Sequence, residues 1–122
     1  HPGCKLLDRM GLLGYTSAMS HAAAMVGNSS SGIIEASSFE LPVVNIGNRQ
    51  RGRLKPRNVI DVGYSVDEIA EGINQALSPE FRGSLRDMKN PYGVGTASNK
   101  IVQTIRDIDL DQRLIMKAAN GA

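Results

Sequence analysis

Three short apolar runs, each closed by a glycine, constrain this chain more than any other feature. They are residues 24–27, residues 43–46 followed by Gly47, and residues 58–62 followed by Gly63. Runs this short, bounded by polar turns, read as buried strands. Between and after them the period changes to that of a helix. Residues 32–39 carry Ile33, Ala36 and Phe39 on one side, and Pro42 cannot continue the helix. Ser65-Val66-Asp67-Glu68 is a capping box, and Val66, Ile69, Ala70, Ile73 and Leu77 follow on one helical face. Pro79 ends that helix. Residues 12–23 have the spacing of an amphipathic helix, Asn90-Pro91-Tyr92-Gly93 is a turn, and Thr96 or Ser98 starts a helix with Ala97, Ile101, Ile105 and Ile108 on one face. Asp111 caps a last short helix through Ala119, before the tail Asn120-Gly121-Ala122. Strands alternating with helices imply an α/β fold, a parallel sheet wound in βα units.

A chain of 122 residues suffices for one compact domain, so residues 1–122 are read as one. With 4% aromatic residues and no Trp, the core must come from Ile, Val, Leu, Met and Ala. The net charge of +2 is too small for a generally basic nucleic-acid binder. Cys4 stands alone, which excludes an internal disulfide and a cysteine-rich zinc site. His1 and His21 lie far apart, and no metal or cofactor is expected. No apolar stretch approaches the ~18 residues of a membrane span, and no signal peptide is visible, so the expected compartment is cytoplasmic. The start at His1-Pro2-Gly3 rather than Met fits either residues left over from expression or a piece of something longer.

The polar turns are where chemistry is expected, because ligands of parallel sheets bind beyond the carboxyl ends of the strands. The first turn is Gly27-Asn28-Ser29-Ser30-Ser31-Gly32. Ser29, Ser30 or Ser31 caps the following helix. Small residues admit an anion close to backbone N–H groups, hydroxyls add donors, and a helix start favours negative charge. Such a turn suits a phosphate, although serine-rich caps without ligands are common and no P-loop lysine follows. Glu35, one turn into the helix, suits sugar hydroxyls better than phosphate. The second loop, residues 47–57, holds Arg49, Arg51, Arg53, Lys55 and Arg57 with no acidic residue. Arginine forks match phosphate oxygens, and the first two loops are close enough in topology to share one anion. A nucleic-acid backbone matches the same charge, but interleaved aromatics are missing, so that partner is set aside.

MVGNSSSGIIEASSFELPVVNIGNRQRGR, residues 25–53, resembles the signature of the UDP-N-acetylglucosamine 2-epimerase family, in particular the hydrolysing type that makes N-acetylmannosamine for sialic acid synthesis. NPYGVG, residues 90–95, is similar to that family's C-terminal turn, with Val94 where an acidic residue is frequent. The resemblance implies a truncated Rossmann-like sheet with flanking helices, part of the C-terminal domain of a glycosyltransferase-B type fold. It implies UDP or UDP-N-acetylglucosamine as ligand, with Ser29 and Ser30 at the diphosphate, Glu35 at the ribose hydroxyls and Arg49 at the nucleotide. Asn28, Ser31 and Arg53 complete the expected substrate-binding set.

The family's reaction removes the C2 proton, expels UDP and adds water, which needs a positioned acid and base. Its catalytic carboxylates and assisting histidine belong mainly to a preceding domain. No Asp or Glu here matches one, and His21 reads as a packing or surface residue. The expected function is therefore a nucleotide-sugar-binding module without turnover of its own. The alternatives are one half of an epimerase active with an N-terminal half, or a structural protein reusing the fold. A truncated sheet exposes a strand edge, so a homo-oligomer is expected.

Overall fold

In the computed structural model, residues 1–109 are described. The helix expected at 111–119 and the tail after it lie outside them. The described residues form two units, the first from His1 to Tyr92 and the second starting at Gly93.

The first unit contains a three-stranded parallel sheet in the order β1 (Met25–Gly27), β2 (Val43–Ile46), β3 (Val59–Val62). Met25 pairs with Val43 and Val43 with Val59, so the three strands start level. This is the parallel α/β sheet the apolar runs implied, within a residue at each end. The central strand is buried at Val43, Val44 and Asn45, as a strand covered on both faces must be.

Alternation along β2 divides the core. Val43 faces a cluster with Met19, Ala36 and Leu41, against which Tyr15, Met25, Phe39 and Val59 pack. Val44 faces the other layer. There α3 (Val66–Leu77) crosses β2 and β3, with Gly72 and Ala76 buried. Two glycines set how closely helices approach. A Cβ on Gly32 would lie 2.9 Å from Val43 Cγ1, and one on Gly72 would lie 2.7 Å from Val62 Cγ1 and 3.0 Å from Val44 Cγ1.

Several elements differ from expectation. The helix read over 32–39 is a single α-helical stretch, α2 (Ser30–Ile34), followed by a 3-10 turn at Ala36–Phe39. Glu40 closes it at φ 51°, and Leu41 N–H returns to the Ala36 carbonyl at 3.2 Å, turning the chain into β2. The first helix, α1, spans Gly11–His21. Pro79 ends α3 but also starts α4 (Pro79–Ser84): Ser78 Oγ accepts from Phe81 N–H at 3.2 Å, with proline at the first position, where its missing N–H is harmless. The crossover from β2 to β3 has no helix; residues 47–58 make it as a loop.

In the second unit, α5 runs Ala97–Asp107 with Thr96 at its cap position, and Ile108 follows the helix rather than ending its face. Among the described residues, no helix is long and apolar enough to cross a membrane.

Candidate functional site

The three serines of the first turn have three different tasks. Ser29 is the cap of α2: its backbone is extended (φ −71°, ψ 142°) and its Oγ accepts from Ser31 N–H at 3.3 Å. Ser31 looks inward. Its Oγ accepts from the Tyr15 hydroxyl at 2.9 Å and donates to the Glu35 carboxylate. Ser30 occupies the first helical position, where the N–H has no intrahelical acceptor. Its hydroxyl bonds to nothing among the described residues. Helix α2 has only five residues, so its dipole is small; hydroxyls and cations must supply most of the attraction for an anion here.

The second loop reaches the first through the backbone of Asn28. Arg49 Nη1 donates to the Asn28 carbonyl at 3.2 Å, and Gln50 Nε2 donates to the same oxygen at 2.7 Å. Because a carbonyl has two lone pairs, both bonds are satisfied at once. The loops following β1 and β2 are thus held together, and Arg49 lies beside the serine turn. Gln50 is 7% exposed although its neighbours are open to solvent. No periodicity marks a buried glutamine in a loop, so the sequence does not announce it.

The five cations are not equivalent. Lys55 pairs with the Asp61 carboxylate from β3, which also accepts from Asn45 Nδ2 at 2.9 Å. Arg57 donates to the Arg86 carbonyl at 3.0 Å. The acid missing from the loop's own sequence comes from a neighbouring strand. Arg51 and Arg53 line a cavity of about 540 Å³ with Asn45, Gln50, Lys55 and Asp61. Arg53 lines this cavity and, among the described residues, makes no side-chain hydrogen bond to Ser29, Ser30 or Glu35.

The remaining turns brace these loops. Tyr64, after β3, donates to Asn48 Oδ1 at 3.3 Å and accepts from Asn48 N–H at 3.4 Å. Asn90 Nδ2 donates to the Ile34 carbonyl at 2.8 Å and to Ser38 Oγ at 2.7 Å. Tyr92 donates its hydroxyl to the Leu54 carbonyl at 2.7 Å. The Asn-Pro-Tyr-Gly turn thus ties the end of α2 to the basic loop. Behind Tyr64, the Ser65 hydroxyl and backbone N–H both donate to Glu68, and these bonds hold its carboxyl below the usual value of 4.5. His21 is exposed, with Nδ1 2.8 Å from the Ser17 carbonyl and 2.9 Å from Ser20 Oγ, contacts local to α1.

The family model described as UDP-N-acetylglucosamine 2-epimerase matches residues 1–106, which include both loops, Glu35 and the Asn-Pro-Tyr-Gly turn. The chain belongs to this family. Among curated members it is similar to the UDP-N,N'-diacetylbacillosamine 2-epimerase (hydrolyzing) of Legionella pneumophila, 37% identical over 96% of this chain and 30% of that protein. The GDP/UDP-N,N'-diacetylbacillosamine 2-epimerase (hydrolyzing) of Campylobacter jejuni is 43% identical over 88% of this chain and 28% of its own length. The UDP-N-acetylglucosamine 2-epimerase of Neisseria meningitidis is 40% identical over 49% of this chain and 16% of its length. The chain therefore spans less than a third of the epimerases it matches.

Proposed function

We propose that this chain is the nucleotide-binding portion of a hydrolysing 2-epimerase acting on a nucleoside-diphosphate amino sugar. In this reading the turn backbone at Asn28 and the hydroxyls of Ser29 and Ser30 hold the diphosphate. Arg49 supplies charge beside them, and Arg53 contributes to the same positive field from the neighbouring cavity. Glu35 accepts from the ribose hydroxyls. The observation that carries the reading is the pair of bonds from Arg49 and Gln50 to the Asn28 carbonyl, because it brings a guanidinium against a turn rich in unpaired donors. The relatives support the same division: their names differ in the sugar and once in the base, and share the nucleoside diphosphate. UDP-N-acetylglucosamine is the simplest such ligand.

Calorimetric titration of the chain with UDP, with UMP as control, tests this. Saturable binding of UDP that is weaker for UMP supports it. Ser30→Ala removes a neutral hydrogen bond of about 1 kcal/mol, a several-fold loss of affinity; Arg49→Ala removes a charged one, about tenfold or more. No binding at millimolar UDP would overturn the reading for the chain by itself.

A second reading follows from the length comparison. A portion covering less than a third of its relatives holds one wall of a cleft, and no carboxylate here matches the acid and base the reaction needs. Turnover is then expected only with the family's preceding domain present. Release of UDP from UDP-N-acetylglucosamine, followed with and without that domain, decides it: release by the chain alone would place an acid and base among these residues.

A further inference from the structure

We propose that Tyr15 and Ser31 are positioning residues for Glu35, and that through them the site selects a nucleotide carrying both ribose hydroxyls over its dideoxy counterpart. The inference rests on the nucleotide-binding reading above and adds to it a specificity device that reaches in from α1.

The polarity of the hydrogen bonds is fixed by chemistry. An ionised carboxylate only accepts, so the single Ser31 proton must point to Glu35, and Ser31 Oγ is then left to accept from Tyr15. All protons in the chain Tyr15–Ser31–Glu35 run toward the carboxylate. Such a series strengthens each member, because every donor is polarised by the bond behind it. Tyr15 can serve as the anchor because its ring packs against the buried cluster of Met19, Ala36, Leu41 and Val43. Glu35, in contrast, is exposed, and a free glutamate there would sample several rotamers at a cost of about 1–2 kcal/mol on ordering. Ser31 lies one turn before it on the same side of α2, the spacing at which side chains meet.

Holding Oε2 leaves acceptor capacity where a diol needs it. Oε1 has no partner among the described residues, and Oε2 keeps a second lone pair. Two adjacent acceptors on a fixed plane match two vicinal hydroxyl donors. They offer nothing to a diphosphate, which they repel. A merely structural bond between α1 and α2 would have no such preference.

The test is calorimetric titration of the chain with UDP and with 2′,3′-dideoxy-UDP, in the wild type and in Tyr15→Phe, Ser31→Ala and Ser30→Ala. Tyr15→Phe and Ser31→Ala are each expected to weaken UDP about three- to tenfold and to leave dideoxy-UDP unchanged, the double variant losing no more than either single one. Ser30→Ala is expected to weaken both ligands alike. Unchanged dideoxy-UDP affinity also reports that the variants remain folded. Equal losses for both ligands, or no loss for either, would overturn the positioning role. Equal wild-type affinity for the two ligands would overturn it as well, while leaving the diphosphate reading intact. A wild type that binds neither ligand would take away the nucleotide-binding reading itself.

Discussion

Single residues here act mainly by what they keep others from doing. Asn58 is fully buried at the start of β3; its Nδ2 donates to the Leu41 carbonyl at 2.7 Å, and its own carbonyl accepts from Val43 N–H at 2.8 Å. Asn58→Ala strands the Leu41 carbonyl away from water and is expected to destabilise the fold by about 1–3 kcal/mol, read as a lower urea midpoint at unchanged slope. Gly72→Ala sets two effects against each other. Alanine gains about 1 kcal/mol in helix propensity, but its Cβ meets two stiff valines, and overpacking costs about 1–3 kcal/mol. The second effect is expected to win, giving a net loss of about 1 kcal/mol by the same measurement. At this scale the sequence was legible for Ser29 as the cap of α2, its Oγ accepting from Ser31 N–H. It was not legible for Tyr15 or Gln50. Their partners lie 16 and 22 positions away, and only the packing of α1 and of the second loop brings them together.

Elements were readable wherever local chemistry specifies an end. The capping box at Ser65 is present with both of its bonds, and α3 begins at Val66 as expected. This box carries a pH signature. The folded-state value of Glu68 is depressed, so its contribution is fully present above the ordinary carboxylate value of 4.5 and fades as pH falls through the lower folded value. Urea midpoints of the wild type and Glu68→Gln, compared from pH 6 down to pH 3, are expected to differ most at the upper end and to converge at the lower. The group is exposed, so the effect is small and weakens with salt. Elements were misread where a residue has two meanings. Pro79 stops one helix and starts the next, and a stop signal alone does not announce the start behind it. Residues 32–39 keep helical spacing through a 3-10 turn, and the 3.6-residue pattern cannot report that the hydrogen bonds tighten at Ala36.

At the scale of the molecule, the order β1-β2-β3 leaves β1 and β3 at the edges of the sheet in the described residues, with Val26 of β1 45% exposed. Unpaired strand edges recruit partners, and the chain taken by itself is expected to self-associate along β1. Light scattering at rising concentration checks this, with Val26→Lys placed on the edge as the variant that shifts the equilibrium to monomer; a wild type that stays monomeric throughout counts against it. The α/β class and the parallel sheet followed from the alternation of runs, since parallel neighbours need long crossovers and this chain supplies two. The surface on which the sugar would lie was not legible in the same way, because the chain spans less than a third of the epimerases it matches.

The second of those crossovers is unusual in having no helix, and that shapes what can change over time. Its two ends are fixed, by Arg49 and Gln50 on Asn28 and by the buried Asn58, while residues 51–55 are exposed and support no layer of the core. Selection can therefore rewrite the middle of this loop at little expense to folding, while the pinned ends hold the geometry constant. Across a saturation library scored for folded protein, positions 51 and 53–55 should accept nearly any residue, whereas positions 50 and 58, and Gly52 at φ 85°, should accept few.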